Sequence, residues 1–276
     1  MKLKNKIYDC ITFFDSNKLF ELRYEILKDY VDYFVICEAN FTHTGKKKKF
    51  NFKHEKWKKK SNKIIYIKVN GKPKINLNQN NKFEIIKIQI ENLFKGISKA
   101  KDNDLIILSD EDEIPNPYKI KLYDFENFKF GIFLQKLYYY KLNIQNLSEA
   151  PKGWPGSRIT TKKNIKSFFN FKILKLKNKD EPFWKFYKEK SIQAINNGGW
   201  HFTYLMTAKM ISKKIQNSGH IEFNKKKFTT IENIKKRIDN LRDPFDREAK
   251  LKIVSAKKIF KKYIQIDIKK YKNWIK

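Results

Sequence analysis

A strand–helix–strand pattern near the N-terminus constrains the fold of this chain more than any other feature. Residues 7–14 and 33–37 are apolar enough to form two buried strands. The residues 18–32 between them carry apolar side chains at helical spacing: Leu19, Leu22, Ile26 and Tyr30. A unit of this length pairs its strands in parallel through a right-handed crossover. The sequence therefore predicts an α/β protein built on a parallel sheet.

Three further apolar segments complete the N-terminal half. Residues 64–67 predict a third strand, and the apolar spacing over residues 83–97 predicts a long helix that faces the sheet. Residues 105–108 are all apolar, as is typical of a central strand in a parallel sheet. We expect this half of the chain to alternate between strands and helices.

The C-terminal half has a mixed pattern. Two longer strands are expected, at residues 130–142 and 168–176. Two loops that contain glycine and tryptophan are expected at residues 153–156 and 197–202. Helices are predicted near residues 204–216, over residues 229–241 behind a capping-box pattern, and through most of the basic residues 247–276.

The strongly basic composition has an ordinary explanation. The formal net charge is +33, from 62 Lys and Arg residues against 29 Asp and Glu residues. Only five of the basic residues are arginine, and the chain is also rich in Asn and Ile, a combination typical of AT-rich coding sequence. Arginine is the preferred residue for bidentate recognition of phosphates and bases. Its scarcity disfavours specific nucleic-acid binding, and most lysines are interpreted as solvated surface.

The sequence also carries expectations about location. Cys10 and Cys37 lie in apolar runs, where free cysteine behaves as a small hydrophobe, so neither a disulfide framework nor a cysteine zinc site is expected. The sequence contains no uninterrupted run of about 18 apolar residues, so no membrane-spanning helix is expected. The N-terminal segment lacks the pattern of a signal peptide. We expect a cytoplasmic protein, with peripheral contact between its basic C-terminal helices and the inner face of an anionic membrane as a hypothesis.

An acidic turn is the strongest local sign of chemistry. The apolar strand at residues 105–108 runs directly into Ser109 and then Asp110, Glu111, Asp112 and Glu113. Ligands of open α/β sheets bind beyond the carboxyl ends of the strands. Carboxylates there can hold a hard cation such as Mn²⁺ or Mg²⁺, which can neutralise a nucleotide diphosphate as a leaving group. A solvated acidic loop is the alternative.

Weaker signals surround this turn. Glu38 ends the second strand, where it is equally well a nucleotide contact or an ordinary polar strand exit, and His43 follows in the next loop. Trp200 offers a flat face to a sugar or base, and His201 could be a metal ligand or an acid–base group. For these two residues the structural alternative is a turn with a buried tryptophan. Outside these segments, His220 and Glu222 form a His-x-Glu pair that is equally well a hydrogen-bonded structural pair, and Trp154 is a candidate for contact with an acceptor.

Several motifs together resemble glycosyltransferase family 17, the family of the β-1,4-mannosyl-glycoprotein N-acetylglucosaminyltransferases. The strong matches are YDCITFF at 8–14, LR at 22–23, VDYFVICEANFTHTGK at 31–46, ILSDEDEIP at 107–115 and GGWHFTYL at 198–205. Weaker matches are HIEFN at 220–224 and DPFDR at 243–247. Each motif is common alone, whereas their combination and order are specific. The resemblance spans roughly residues 7–247.

The resemblance implies a function and a set of site residues. It implies transfer of N-acetylglucosamine from UDP-GlcNAc, with inversion, on a GT-A-like Rossmann-type mixed sheet flanked by helices. By the resemblance, Asp110 and Asp112 would hold a divalent metal, Mn²⁺ or Mg²⁺, and the diphosphate. From the residue types, the nucleotide sugar is expected at Thr12, Glu38, Asp110 and Trp200, with His201 and His220 as further metal ligands. One departure is that Ile90 follows Gln89, where the family has Arg. If that Arg contacts phosphate, a lysine must replace it here.

The resemblance also sets the expected domain organisation. A GT-A-like domain is expected at residues 1–246, with a nucleotide-sugar half at about 1–117 and an acceptor half at about 118–246. Residues 247–276 are expected to form a basic helical extension. Animal members act on N-glycans in the Golgi, whereas the acceptor here is expected to be another glycan, such as a surface polysaccharide or a lipid-linked glycan.

More than one candidate remains for the catalytic base and for the class of protein. An inverting transfer needs a base for the acceptor hydroxyl, and a carboxylate is favoured. The candidates are Glu113, Asp180, Glu181, His201 and Glu222. A metal-dependent nuclease or phosphotransferase would share the acidic cluster and the basic body. A glycan-binding module on a decayed transferase is a third reading, which the intact Asp110 and Asp112 disfavour.

Overall fold

The chain is described by a computed structural model. It describes residues 5–71, 83–148, 152–176, 191–216, 221–256, 259 and 268–276. The strands within these residues are β1 Ile7–Phe13, β2 Tyr33–Ala39, β3 Ile64–Val69, β4 Leu105–Asp110, β5 Glu113–Pro115, β6 Phe130–Tyr139, β7 Ile144–Asn146, β8 Trp154–Thr161, β9 Ile192–Ile195, β10 Gly199–Thr203 and β11 Leu251–Ile253. The α-helices are α1 Asn17–Leu27, α2 His54–Lys60, α3 Glu84–Glu91, α4 Pro117–Ile120, α5 Phe168–Ile173, α6 Ala208–Gln216, α7 Lys226–Thr229 and α8 Ile231–Asp239. Short 3₁₀ helices occupy Asn92–Ile97, Lys162–Asn164, Ile221–Phe223 and Ile268–Trp274.

One mixed sheet organises the chain. Its strand order is β11-β7-β6-β8-β4-β1-β2-β3. Strands β9 and β10 also pair with β6, and β5 pairs with β10. The strands β4, β1, β2 and β3 are parallel, whereas β8 is antiparallel to both β4 and β6. The structure thus confirms the predicted α/β class: a Rossmann-like mixed sheet flanked by helices.

Both faces of the parallel strands are buried. Along β1, Ile7 and Ile11 belong to one apolar cluster, whereas Tyr8 and Cys10 belong to the other. This alternation follows from the two-residue repeat of a strand. Helix α1 packs against the first face and α3 against the second. The helices therefore fix the parallel strands from both sides and leave their ends to form a site.

The loop predicted at residues 153–156 is mostly strand, because β8 begins at Trp154. Two further predicted elements are wrong. The segment predicted as a strand at residues 168–176 forms helix α5. Its first turn is capped: the Ser167 hydroxyl accepts from the Asn170 amide at 3.1 Å, and Glu91 accepts from the Phe169 amide at 3.0 Å. The predicted loop at 197–202 instead contains strand β10, which pairs with β5 and β6. In both cases long-range partners decide the local structure.

The C-terminal residues that the structure describes pack against the sheet and the core. Strand β11 adds to β7, so the segment expected to be helical also contributes a strand to the sheet. Tyr271 is buried in the core, and the main chain of Lys276 exchanges two hydrogen bonds of 2.9 Å with the Asn143 side chain. Within the described part of the chain, no helix is long and apolar enough to span a membrane.

Candidate active site

The acidic turn lines a cavity at the carboxyl ends of the parallel strands. Thr12 at the end of β1 is the register partner of Asp110 at the end of β4. The cavity has a volume of about 310 Å³. Its walls are formed by Thr12, Phe13, Phe14, His43, Gln89, Asp110, Glu111, Asp112, His201, Thr203, Tyr204 and Lys214. Asp110 and Asp112 therefore face one space.

A buried arginine fixes the main chain of the acidic turn. Arg23 on α1 has no exposed surface, and its guanidinium makes two hydrogen bonds to the Asp9 carboxylate, of 2.6 and 2.5 Å. The same guanidinium donates to the Glu113 carbonyl at 2.5 Å and to the Asp110 carbonyl at 3.5 Å. Asp9 neutralises the buried charge, and the remaining donors fix the main chain on both sides of Asp112.

Glu111 connects the turn to β1. Its carboxylate accepts a hydrogen bond from the Phe14 amide at 2.9 Å. Burial raises the pKa of Glu111, and the positive charge of Lys214 opposes that rise. This hydrogen bond from Phe14 to Glu111 therefore fixes the position of Phe14 at the cavity wall.

Asp112 is the most shielded carboxylate facing the cavity. Its Oδ1 lies 3.5 Å from His201 Nε2, and its Oδ2 accepts a hydrogen bond from Lys214 Nζ at 3.1 Å. Burial alone would raise the pKa of Asp112, but the positive charges of Lys214 and His201 outweigh it and hold the pKa well below its usual value. Asp112 is thus an anion that faces the Lys214 ammonium group and the His201 imidazole.

Asp110 has a different lysine partner. Its Oδ1 lies 2.7 Å from Lys172 Nζ, although the Asp110 side chain is 43% exposed at the mouth of the cavity. Burial raises its pKa and Lys172 lowers it, with a net shift downward. The two aspartates are therefore compensated separately, by lysines from α5 and α6.

Strand β10 sets His201 against Asp112. The Phe202 amide donates to the Asp112 carbonyl at 2.8 Å, and Gly199 lets β10 approach β5. A Cβ atom on Gly199 would lie 2.2 Å from the Ile114 carbonyl oxygen, and its φ of +129° disfavours any side chain. His201 Nε2 also lies 3.0 Å from the Thr203 hydroxyl. Burial lowers and the Asp112 charge raises the pKa of His201, with a net upward shift.

The donor set of this cavity suits a divalent metal. Two carboxylates and an imidazole are ligands that Mn²⁺ and Mg²⁺ accept. The 3.5 Å between Asp112 Oδ1 and His201 Nε2 is close to the roughly 3 Å between neighbouring ligands of an octahedral ion. No three His, Cys, Asp or Glu residues among those described are close enough to hold a metal by themselves. Mg²⁺ in nucleotide sites ordinarily takes one or two carboxylates and completes its shell with phosphate and water.

Glu113 lies directly behind the cavity. Its carboxylate accepts a hydrogen bond from the Asp110 amide at 3.2 Å and one from Trp154 Nε1 at 3.4 Å. Glu113 is buried, whereas the Trp154 ring is 36% exposed and lies 5.3 Å from the His201 ring. An exposed aromatic face thus stands next to a buried carboxylate at the edge of the site.

Two residues predicted to bind the nucleotide lie elsewhere. Trp200 does not line this cavity: because β10 is a strand, Trp200 and His201 point to opposite faces, and Trp200 is buried in the core. Glu38 has no exposed surface and uses both oxygens internally. It accepts from Lys48 Nζ and the Asn51 amide at 2.6 Å each, from Tyr66 at 2.8 Å and from the Phe52 amide at 3.0 Å. Its position serves to hold the segment after β2.

The remaining predicted residues differ in where they lie. Glu222 is exposed on the 3₁₀ helix Ile221–Phe223 and is not part of the cavity wall. Glu181, its neighbour Asp180, and His220 lie outside the described residues. His43, by contrast, does line the cavity as the sequence suggested, and burial lowers its pKa.

Sequence reasoning missed three cations that shape the site. Lys172 and Lys214 are indistinguishable from the other lysines until α5 and α6 are folded, and Lys172 was in a segment predicted as a strand. Arg23 carried a usable signal, because a lone arginine on the apolar face of α1 requires a buried acidic partner. Ile90, at the position where the family has Arg, is fully buried in the core, so no cation reaches the site from there.

The fold and the cavity define a Rossmann-like enzyme with a carboxylate site at the strand ends. The sequence profile of glycosyltransferase family 17 matches residues 1–151 of the 276, which include Asp9, Arg23 and the whole acidic turn. The chain belongs to glycosyltransferase family 17 and is a glycosyltransferase. This membership decides against the nuclease or phosphotransferase alternative.

Other comparisons are more distant. No curated protein sequence matches the chain. Among solved structures, a 4-diphosphocytidyl-2C-methyl-D-erythritol synthase is similar, at 13% sequence identity and a TM-score of 0.33. The similarity covers 58% of this chain and 73% of that chain.

Proposed function

We propose that the protein is an inverting glycosyltransferase that moves N-acetylglucosamine from UDP-GlcNAc to a glycan acceptor and depends on a divalent metal. The observation that carries this proposal is the shared cavity of Asp110 and Asp112 at the carboxyl ends of β1 and β4, in a chain of family 17. Ligand sites of small molecules usually measure about 300–1,000 Å³, and the cavity, at about 310 Å³, is within that range.

The donor side of the proposal uses the wall of the cavity. Phe14 is half-buried and offers an aromatic face to the uracil, with Lys48 Nζ 5.4 Å from its ring centroid. His43 beside it is favoured in the neutral form by its burial, so it can accept or donate a hydrogen bond without adding charge. Thr12 supplies a hydroxyl at the end of β1.

The metal side of the proposal uses the aspartates. Asp110 and Asp112 would hold the ion, and phosphate oxygens of the donor and water would complete its shell. A bound Mn²⁺ or Mg²⁺ supplies charge neutralisation for the departing diphosphate. Arg23 keeps the two carboxylates in place through the carbonyls of Asp110 and Glu113, so the site is organised before the donor binds.

The acceptor side of the proposal is the edge formed by Trp154 and Glu113. The exposed Trp154 ring would stack on a sugar of the acceptor. Glu113, which is hydrogen-bonded to Trp154 Nε1, would take the proton from the acceptor hydroxyl. The acceptor oxygen then forms its bond to the anomeric carbon, the bond to UDP breaks, and UDP leaves with the electron pair.

The direct test is UDP release. Purified protein with UDP-GlcNAc and Mn²⁺ is expected to release UDP, and chelation of the metal is expected to abolish release. Asp112→Asn is expected to lose at least about 100-fold of this activity, the scale typical for removal of one catalytic electrostatic contact. Asp239→Asn, on an exposed residue of α8, is the matched control. Metal-independent release, or full activity in Asp112→Asn, would remove the proposed role of the metal.

The location of the acceptor adds a second part to the proposal. With a net charge of +33, the protein would be attracted to an anionic membrane from the cytoplasmic side, where lipid-linked glycans are accessible. Flotation with vesicles that contain anionic lipid is expected to recover the protein at low salt and to lose it at high salt. Absence from the vesicle fraction at low salt would refute membrane contact and leave the transferase activity in place.

A further inference from the structure

We propose that Lys172 and Lys214 are exchangeable cations: they occupy Asp110 and Asp112 when the donor is absent and transfer to the diphosphate when donor and metal bind. This inference rests on the proposed function, because it requires a diphosphate in the cavity. It concerns two positioning residues that lie outside the matched region of the family.

The lysines are paired one to one with the aspartates. Lys172 Nζ lies 2.7 Å from Asp110 Oδ1, and Lys214 Nζ lies 3.1 Å from Asp112 Oδ2. Their side chains are 23% and 34% exposed, so water screens these contacts less than it screens surface ion pairs. Burial lowers the pKa of each lysine and the facing aspartate raises it, with a net rise for both. Both groups therefore carry a positive charge at neutral pH.

A metal ion and an ammonium group compete for these carboxylate oxygens. A divalent ion bonds to a carboxylate oxygen at about 2.1 Å. That distance is shorter than the 2.7 and 3.1 Å at which the lysine nitrogens contact the same carboxylates. Two cations at such a distance repel strongly in a shielded site. The ion can bind only when the lysine moves away, so Lys172 and Lys214 lower the affinity of the free protein for metal.

A displaced lysine needs another anion close by. Lys214 is itself part of the cavity wall, and Lys172 Nζ lies 2.7 Å from Asp110 of that wall. Each four-carbon side chain can therefore turn from its aspartate toward the cavity. The diphosphate of a nucleotide sugar would present several anionic oxygens there, and lysine binds phosphate well as a point charge. Each lysine ammonium group then has two states: in the first it contacts the aspartate, and in the second it contacts the phosphate. Metal and donor each favour the second state, so each increases the affinity of the other.

The experiment separates the two halves of this exchange. Mn²⁺ binding is measured from the electron paramagnetic resonance signal of the free ion, without nucleotide, for wild type, Lys172→Met and Lys214→Met. UDP binding is measured by calorimetry at saturating Mn²⁺ for the same proteins. Lys175→Met and Lys209→Met, on exposed lysines next to α5 and on α6, are the matched controls. Circular dichroism melts check that each variant is folded.

The exchange predicts opposite changes in the two affinities. Loss of either lysine is expected to tighten Mn²⁺ binding about tenfold and to weaken UDP binding about tenfold, each equal to about 1.4 kcal/mol. Lys214→Arg, which keeps the charge, is expected to retain weak Mn²⁺ binding, and it keeps the test valid if Lys214→Met does not fold. The two controls are expected to match wild type.

Two results would overturn the exchange. Mn²⁺ binding that is no tighter in the methionine variants than in the controls would refute the competition at the aspartates. UDP binding that is unchanged in those variants would refute the transfer to the diphosphate. Failure of the proposed function is distinguishable, because then the wild type itself binds Mn²⁺ but does not bind UDP.

Discussion

The fully buried Arg23 is bonded through two nitrogens to Asp9 and, through its remaining nitrogen, to the carbonyl of Glu113. Asp9 lies on β1 and Glu113 begins β5, so one guanidinium joins the central strand, helix α1 and the acidic turn. A buried ion pair of this kind contributes little net stability by itself, but loss of one partner leaves an unpaired buried charge. The arrangement predicts that the site depends on Arg23, a residue that does not reach the cavity.

Replacement of Arg23 is the first test of this dependence. Arg23→Met is expected to lower the free energy of unfolding by about 3–5 kcal/mol, because Asp9 would remain buried without a partner. The double variant Arg23→Met with Asp9→Leu is expected to recover part of the stability but not the activity. The carbonyls of Asp110 and Glu113 lose the guanidinium, and among the described residues the Glu113 carbonyl keeps only the 3.4 Å hydrogen bond from the Ser157 hydroxyl. Denaturant unfolding and UDP release measure the two effects. Equal recovery of both would show that Arg23 acts only through the stability of the fold.

Replacement of Glu113 tests the base. Glu113→Gln keeps the shape of the side chain and removes proton acceptance. Its single amide oxygen can still accept one of the two hydrogen bonds, from the Asp110 amide or from Trp154 Nε1. Transfer to acceptor is expected to fall about 10²- to 10⁴-fold with UDP affinity unchanged. Steady-state kinetics and calorimetry with UDP give the two values. A kcat close to that of wild type would assign the base to another group.

Replacement of Trp154 tests the acceptor edge. The ring is exposed beside His201 and, in the proposal, meets a sugar of the acceptor. Trp154→Ala is expected to raise the KM for acceptor about tenfold, which corresponds to about 1.4 kcal/mol, and to leave UDP affinity unchanged. A matched measurement on Trp200→Phe is expected to change stability rather than acceptor KM, because Trp200 is a core residue. A Trp154→Ala variant that loses UDP affinity and keeps its acceptor KM would contradict the assignment.

The Asp246 ion cluster predicts a pH dependence of stability away from the active site. Asp246 accepts from Arg237 at 3.0 and 2.9 Å and lies 2.9 Å from Lys227, and these hydrogen bonds lower its pKa to about 2. A carboxylate with a lowered pKa in the folded state adds stability above its unfolded pKa of about 4, and that stability is lost as the pH falls toward about 2.

Asp246→Asn measures that contribution. It is expected to cost about 1 kcal/mol at pH 7, a value reduced for the partial exposure of the group, and progressively less below pH about 4. Urea unfolding at pH 7, 5 and 3 gives the difference from wild type. Asp239→Asn is the control. A difference that stays constant down to pH 3, or grows there, would contradict the sign of the effect.

The parallel core could be predicted from sequence because its signals are local. The strand–helix–strand unit and the apolar strand before Asp110 follow from two periodicities and from the sharp change to carboxylates. The position of Asp110 and Asp112 at one cavity follows from the same rule of strand ends.

The features of the fold and site that could not be predicted from sequence depend on contacts between residues far apart in the chain. The segment with Lys172 alternates polar and apolar residues like a strand, yet Ser167 and Glu91 cap it as a helix. Glu38 and Trp200 have the residue types of ligand contacts, but hydrogen bonds and the strand repeat turn both inward. The lysines on Asp110 and Asp112 come from two helices that no local pattern connects to the acidic turn.

Gly199 adds a constraint of a different kind. Strand β10 reaches β5 only because this position has no side chain, and the spacing of His201 and Asp112 depends on that contact. In a saturation screen for activity, Gly199 would therefore behave like a catalytic position, intolerant of even alanine, although it has no functional group to offer a substrate. A laboratory effort to widen the donor range of this enzyme should leave that glycine untouched and vary the wall at Phe14 and His43 instead.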